Sequence, residues 1–195
     1  MNIENNIIKA EIKDLEYIAE MHLKYIPVSF YSYLGKKFIN IIYKNLILSD
    51  NAGTYVFYQN KKCVGYISFL LNRKKFFFEL IRKNFISVIL AIKLKDIFLI
   101  VRYFINTVKY IFNKNIKDSE LLFIAVEKEN RQKRIASDLI DIAQKIIINN
   151  EIKDVQVCIN YDNYVCQKII ESKGYKLIQL IVLYDKKMKL YVKSL

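Results

Sequence analysis

The stretch Leu121-Leu-Phe-Ile-Ala-Val126-Glu-Lys-Glu-Asn-Arg131-Gln-Lys-Arg134-Ile-Ala136 decides how this chain is read. Leu121–Val126 is a continuous apolar run, short enough for a buried strand. A charged segment, Glu127–Asn130, follows it. Ile135, Leu139, Ile142, Ala143, Ile146 and Ile147 then recur at the spacing of an amphipathic helix. A strand running through a short loop into a helix makes a specific chemical object. The first N–H groups of any helix lack internal partners and sit at the positive end of its dipole. Such a turn accepts an anion, a pyrophosphate above all. Arg131, Lys133 and Arg134 add positive charge around it, although basic helix starts also serve merely to solvate a loop.

Outward from this centre the chain alternates helical and strand patterns. Ile7–Lys9 reads as a short first strand, and Asp14 as a helix start. Leu15, Ile18, Ala19, His22, Leu23 and Ile26 follow at helical spacing until Pro27. A second helix fits Leu34 to Leu46, with Leu34, Phe38, Ile41 and Ile42 on one face. Thr54–Tyr58 and Cys63–Leu70 are strands joined across Asn60-Lys61. Beyond the central helix, Val155–Cys158 is another strand, and Asn163 is a suitable N-cap for a helix that Gly174 would close. Tyr175–Leu183 and Met188–Val192 form a closing pair of strands around a turn at Asp185-Lys186. The order predicts a mixed α/β sheet with a long helical insertion at about residues 73–118.

Composition narrows the class. A chain of 195 residues forms one domain with a sizeable core. A hydrophobic content of 53% with only four Gly and one Pro excludes a disordered or fibrous protein. The net charge of +13 calls for an anionic partner: nucleic acid, an acidic membrane surface or a phosphorylated cofactor. Charge sign does not choose among them, but no aromatic-basic motif supports nucleic acid, which is not expected as a partner. Cys63, Cys158 and Cys166 lack metal-like spacing and His22 is the single histidine, so no metal site is expected. Met1–Ala10 has no apolar signal core. The expected compartment is therefore the reducing cytoplasm, without disulfides.

With its turn chemistry set out, Val126 to Ala136 resembles the coenzyme-A loop of the GNAT acetyltransferase superfamily. That loop has Arg or Gln, two variable residues, Gly, one more residue, then Gly or Ala. Arg131 and Ala136 match its ends, whereas Arg134 stands at the usual Gly and Lys128 at a frequent Pro. Asn163 through Tyr175 is similar to a later family segment, with Asn163, Gly174 and Tyr175 matching. Cys166 replaces its usual Ala, and Ile169-Ile170 its usual Phe-Tyr. Met21-His22 through Tyr43, with Pro27, Phe30, Leu34-Gly35 and Phe38, resembles a bacterial subgroup with an enlarged helical connection between the third and fourth strands. The tail at Lys187-Met188 and Tyr191-Val192 fits that subgroup as well.

The resemblance implies a largely antiparallel GNAT-type sheet flanked by helices, with acetyl-CoA as acyl donor and a small amine as acceptor. Pantetheine would lie beside Ile124 and Val126, and the phosphates beside Arg131, Gln132, Lys133, Arg134, Ile135 and Ala136, with Asn163 nearby. His22 and Phe30 fall toward the acceptor. An amino sugar used in cell-surface carbohydrate synthesis is the acceptor that the subgroup suggests. The family Tyr that protonates the departing thiolate is Ile170 here, which cannot donate a proton. A non-catalytic acyl-CoA-binding module is thus the alternative.

Amine acylation needs a base and an oxyanion site. Glu120, at the mouth of the central strand, is the candidate base, a solvated strand end being the other reading. His22 titrates near neutrality by nature, yet it lies on an apolar stripe, where a satisfied core histidine is commoner. A backbone N–H near Val126 suits the oxyanion. Tyr161 and Tyr164 flank the second motif and could supply a phenol. Residues 73–118 carry eleven Lys or Arg and three acids among apolar stretches, with helices expected over Phe76–Ile92 and Ile97–Phe112. The charge-free stretch Asn84–Ile92 falls well short of the roughly 18 residues of a membrane span. The insertion either packs over the acceptor site or rests on anionic lipid as a peripheral contact.

Overall fold

The computed structural model describes residues 6–27, 29–91, 97–113 and 115–195. Its centre is a seven-stranded sheet in the order β1-β2-β3-β4-β5-β7-β6. The strands are β1 (Ile7–Lys9), β2 (Ala52–Gln59), β3 (Lys62–Leu70), β4 (Glu120–Val126), β5 (Asp154–Asn160), β6 (Lys176–Leu183) and β7 (Lys186–Ser194). Every pairing is antiparallel except β4 with β5. The mixed, largely antiparallel sheet agrees with the sequence reading. The β2–β3 hairpin turns where expected, with Asn60 at φ 51° and Lys61 at φ 62°, the paired left-handed residues that match strand twist. The last hairpin turns one residue earlier than expected. Tyr184 and Asp185, not Asp185 and Lys186, take the left-handed conformation.

Helices cover both faces. On one lie α1 (Leu15–Tyr25), the single turn α2 (Phe30–Tyr33) and α3 (Lys36–Leu48). The helix expected from Leu34 begins two residues later, at Lys36, because Gly35 at φ 86° holds a non-helical conformation that side-chain-bearing residues avoid. The buried stripe of α3 is Phe38, Ile39, Ile42, Tyr43, Leu46 and Ile47. The opposite face carries α6 (Ile135–Asn149) and α7 (Tyr164–Ser172). There Ile135, Leu139, Ala143 and Ile147 of α6 pack with Val155, Val157, Ile159 and Ile170. Burying each large aliphatic side chain contributes about 1.5–3 kcal/mol. Gly65 of β3 sets how closely α6 approaches: a Cβ there would meet Ile135 at 3.2 Å and the Ala125 carbonyl at 3.3 Å. The missing side chain lets the first turn of α6 settle directly on the sheet.

The insertion forms two helices, α4 (Arg73–Ala91) and α5 (Ile97–Phe112). Ile92, the end expected for the first, lies outside the described residues. Asn84 kinks α4 with φ −127° and ψ 17°, its amide donating to the Leu80 carbonyl and to Asn45 Oδ1, each at 3.1 Å. Arg73 fastens both ends of the insertion. It is fully buried, its backbone N–H donates to the Asp118 carbonyl at 2.8 Å, and Nη2 donates to the Ile111 carbonyl at 3.1 Å. Among the described residues, no helix is long and apolar enough to cross a membrane.

Candidate active site

β4 and β5 pair only at Glu120↔Gln156 and Leu121↔Val157. The cause sits on the other edge of β4. Against β3, Ser68 faces Phe123 and Phe69 faces Leu121, so Leu122 is an extra residue, a bulge. A bulge bends its strand and increases its twist. It falls where the pairing with β5 stops. Past it, β4 follows β3 as far as Val126↔Gly65, while β5 follows β7 as far as Asn160↔Met188. Two neighbouring strands thus diverge in the middle of the sheet.

A cavity of about 580 Å³ occupies the divergence and is lined from both sides of the sheet. Leu121, Ile124, Val157, Ile159, Ile140 and Ile170 line it on the α6–α7 side. Strand alternation puts Glu120 and Cys158 on the opposite side, with Phe30, Phe123, Tyr110 and Tyr184. Among the described residues of the insertion, Phe77, Thr107 and Tyr110 line the cavity.

The exit of β4 is braced. Glu127 N–H donates to the Val64 carbonyl at 2.9 Å. Its carboxylate accepts from Tyr17 Oη at 3.1 Å, Lys24 Nζ at 2.9 Å and Tyr25 Oη at 2.5 Å. Burial raises this carboxyl's pKa, but the bonds from Tyr25, Lys24 and Tyr17 outweigh that and hold it below the ordinary value. Arg131 folds back onto the same exit. Nε donates to the Val126 carbonyl at 3.1 Å, and the guanidinium lies 4.8 Å from the centre of the Tyr25 ring. Gln132 (φ 63°) and Arg134 (φ 62°, ψ 1°) then take left-handed conformations. Arg134 thus keeps the backbone shape that glycine adopts most easily and directs an exposed side chain outward. As residue before α6 it provides no side-chain cap, and helix geometry leaves the N–H groups of Ile135, Ala136 and Ser137 without intrahelical acceptors. Lys133 is exposed beside them. The turn has the electrostatics of an anion cradle.

Glu120 is not a solvated strand end: it is 3% exposed. Tyr110 Oη donates to its Oε1 at 2.8 Å, and Gln156 Nε2 donates to its Oε2 at 3.2 Å and to Tyr110 Oη at 2.9 Å. The Gln156 amide is fixed by the Lys117 N–H, which donates to its Oε1 at 2.8 Å. Cys158 Sγ lies 3.2 Å from Tyr110 Oη. The Arg73 guanidinium stands 5.0 Å from the centre of the Tyr110 ring, and its Nε and Nη1 find no hydrogen-bond partner among the described residues. Burial pushes the Glu120 carboxyl above the ordinary value, while the Arg73 charge and the bonds from Tyr110 and Gln156 pull it part of the way back. Burial also pushes the Cys158 thiol up.

The remaining expectations divide. Phe30 lines the cavity, its ring stacked on Tyr184 at 4.9 Å. Asn163 lines it too, its side chain accepting from the Cys166 N–H at 3.2 Å as the cap of α7. Ile170 is 1% exposed in the wall. Val126 and the residues 131–136 belong to the braced turn and do not line the cavity. His22 is corrected: it is fully buried in the α1–α3 core and is not part of the cavity wall. Its Nδ1 lies 2.6 Å from Tyr43 Oη and its Nε2 3.0 Å from Ser29 Oγ, so both ring nitrogens are satisfied. Burial lowers the imidazole pKa to about 4. Tyr161 and Tyr164 are exposed and outside the wall. Sequence reading missed Tyr110, Gln156, Cys158, Tyr31, Tyr184 and Glu127. Alternation along β5 could have paired Gln156 and Cys158 with the Glu120 side, but nothing local reveals Tyr110. No cluster of three or more His, Cys, Asp or Glu suited to a metal occurs among the described residues.

The chain has the fold of the GNAT N-acetyltransferases. The PaiA N-acetyltransferase from Thermoplasma acidophilum, in complex with coenzyme A, is similar at TM-score 0.62 and 15% identity, over 97% of this chain and 98% of that one. The ribosomal-protein-alanine N-acetyltransferase from Brucella melitensis is similar at TM-score 0.64 and 12% identity, over 97% and 99%. Arabidopsis thaliana NAA60 in complex with acetyl-CoA is similar at TM-score 0.61 and 11% identity, over 97% of each chain. At such identities the likeness establishes the fold alone. No protein-family model and no curated protein matches the sequence.

Proposed function

We propose that the protein transfers an acyl group, acetyl in the first instance, from coenzyme A to a primary amine. The observation that carries this reading is the divergence of β4 from β5 after two residue pairs, beside an uncapped helix start on one side of the sheet and a buried carboxylate on the other. The pyrophosphate of acetyl-CoA binds the N–H groups of Ile135, Ala136 and Ser137, helped by Lys133 and Arg134. Its pantetheine arm runs along the unpaired edge of β4 beside Ile124 and Val126, and Asn163 borders the same space. Arg131 and Gln132 shape the turn. Two similarly folded N-acetyltransferases are complexes with coenzyme A or acetyl-CoA, which supports acetyl-CoA as the donor.

Glu120 is the base. A buried carboxylate with a raised pKa is better matched to taking a proton near neutrality than an exposed one. The amine nitrogen adds to the thioester carbon to give a tetrahedral oxyanion, the proton on nitrogen passes to Glu120 directly or through one water, and the C–S bond breaks as the carbonyl re-forms. The oxyanion forms within reach of Glu120, whereas Val126 lies six residues further along β4, about 20 Å at ~3.3 Å per residue. An N–H of β4 near the Leu122 bulge therefore takes the stabilising role. The coenzyme-A thiolate leaves and takes up a proton.

Thiol release from acetyl-CoA in the presence of amines tests this reading. Glu120→Gln should lower kcat/KM by about 10²–10⁴-fold, the usual worth of a general base, without changing acetyl-CoA affinity. Amine-dependent release that survives the substitution undiminished removes Glu120 from the role. A second reading, a binding module without catalysis, is favoured by Ile170, which brings no proton donor to the wall. Any amine-dependent thiol release eliminates it. Val101, Ile105 and Phe112 are exposed on α5, which favours a peripheral contact between this basic insertion and anionic lipid. Co-sedimentation with anionic vesicles at low salt tests that contact, and a protein that stays wholly in the supernatant refutes it. Among primary amines the sequence resemblance favours an amino sugar for cell-surface carbohydrate synthesis, whereas the cavity walls favour a less polar acceptor.

A further inference from the structure

We infer that the acceptor is a compact amine with a flat apolar body, of the aralkylamine class, and not a polyhydroxylated amine or the N-terminus of a polypeptide. The inference rests on the acyl-transfer reading and concerns the side of the sheet that bears Glu120.

The first ground is closure. α5 crosses to the β6–β7 hairpin and is fastened there twice. Thr107 Oγ1 lies 2.8 Å from Tyr184 Oη, and Arg102 Nη2 donates to Asp185 Oδ1 at 2.5 Å. A third tie, from Tyr110 to Glu120, reaches the cavity floor. An extended peptide needs an open groove with backbone partners along its length. Here α5 is tied across to the last hairpin beside the cavity, and Thr107 and Tyr110 stand in its wall. The whole cavity, on both sides of the sheet, is about 580 Å³, and the pantetheine arm takes a share of it, which leaves the acceptor a small-molecule volume.

The second ground is the chemistry of the walls. Phe30, Tyr31, Phe77, Phe123 and Tyr184 line this side. Phe30 stacks on Tyr184 at 4.9 Å, and Tyr31 meets Phe123 edge to face at 5.2 Å. These faces suit a planar apolar group. Four polar residues beside these rings, Tyr184, Tyr31, Ser29 and Tyr110, are already engaged with neighbouring side chains, while Asn160, Asp162 and Lys186 line the cavity at the end of β5 and the start of β7. Tyr184 is bonded to Thr107 and to Tyr31. Ser29 Oγ is bonded to His22 and Ser32, and Tyr110 to Glu120 and Gln156. A polyol entering this space would exchange water for aromatic faces and leave hydroxyls unmatched. The acceptor needs one polar end, the amine, and Glu120 meets it.

The test measures initial rates of thiol release with the full chain, acetyl-CoA and three acceptors: 2-phenylethylamine, glucosamine and an unblocked pentapeptide. A kcat/KM for 2-phenylethylamine at least ~100-fold above both others is expected, the order by which an apolar pocket disfavours an added hydroxyl. Glucosamine or the pentapeptide turned over as well as 2-phenylethylamine, or better, overturns this inference and leaves acyl transfer standing. No thiol release with any acceptor, while acetyl-CoA binds by calorimetry, overturns the acyl-transfer reading and this inference with it.

Discussion

Tyr110 Oη lies 2.8 Å from Oε1 of Glu120, so a residue of the helical insertion donates directly to the carboxylate at the cavity floor. The two are ten positions apart in sequence, yet one ends α5 and the other begins β4. Arg73 ties the ends of the insertion together and fixes the phenol between them. The insertion is therefore part of the site's construction as well as its cover.

Tyr110 acts on Glu120 by stabilising its charged form, which lowers the carboxyl pKa. Tyr110→Phe removes that bond with little change in volume. The carboxyl pKa then rises further, and the acid limb of the kcat/KM profile moves to higher pH, with the plateau retained at alkaline pH. A profile that drops uniformly without moving would assign Tyr110 a packing role only. The acetyl-CoA dissociation constant should stay unchanged.

His22 titrates through stability rather than through rate. Its folded pKa of about 4 lies below the ordinary 6.5, so the unfolded chain binds the proton first as pH falls. The stability it contributes is complete above pH 6.5 and is lost between there and about pH 4, by about 3 kcal/mol. Urea unfolding at pH 7 and pH 4 should show that loss in the natural protein and not in His22→Gln, whatever the variant's stability at pH 7. Equal pH dependence in the two proteins would contradict a neutral core imidazole.

Arg134 holds a left-handed backbone at φ 62°, which costs a side-chain-bearing residue about 1–2 kcal/mol. Arg134→Gly relieves this while giving back part of it as unfolded-chain entropy, so the melting temperature should hold or rise slightly. Acetyl-CoA affinity should fall about two- to five-fold at low salt, the ~0.3–1 kcal/mol of an exposed charge near a helix start. The difference should vanish in high salt. Affinity that increases in Arg134→Gly would mean that the arginine obstructs the phosphates instead of attracting them.

Much of this molecule was legible in its sequence wherever one segment determines its own structure. The Leu121–Ala136 transition, the Asn163 cap and the Asn60-Lys61 hairpin were read within a residue or two, because periodicity and turn chemistry are local. Gly35 separates α2 from α3 at φ 86°, a break that the apolar period through Leu34 and Phe38 does not signal. The last hairpin turns at Tyr184, a residue with no turn signature, because Tyr184 is bonded to Thr107 and stacked on Phe30. The candidate site divided along the same line. Glu120 at the start of β4 and the basic turn into α6 are visible as sequence. The Tyr110–Gln156–Cys158 surroundings of Glu120 were not, since they join three distant segments. His22 looked available on a helical wheel, and only the packing of Tyr43, Phe123 and Ser29 around it shows that it is enclosed.

The most direct measurement is a calorimetric titration of acetyl-CoA into the natural protein and into Ala136→Glu. A carboxylate in the first turn of α6 suits the helix dipole and should preserve or raise the melting temperature, while it competes with the pyrophosphate for the same N–H groups. Saturable one-to-one binding by the natural protein, lost in a folded Ala136→Glu, is the expected result. Binding that is equal in both proteins, or absent from the natural one, would contradict an acyl-CoA site at the start of α6.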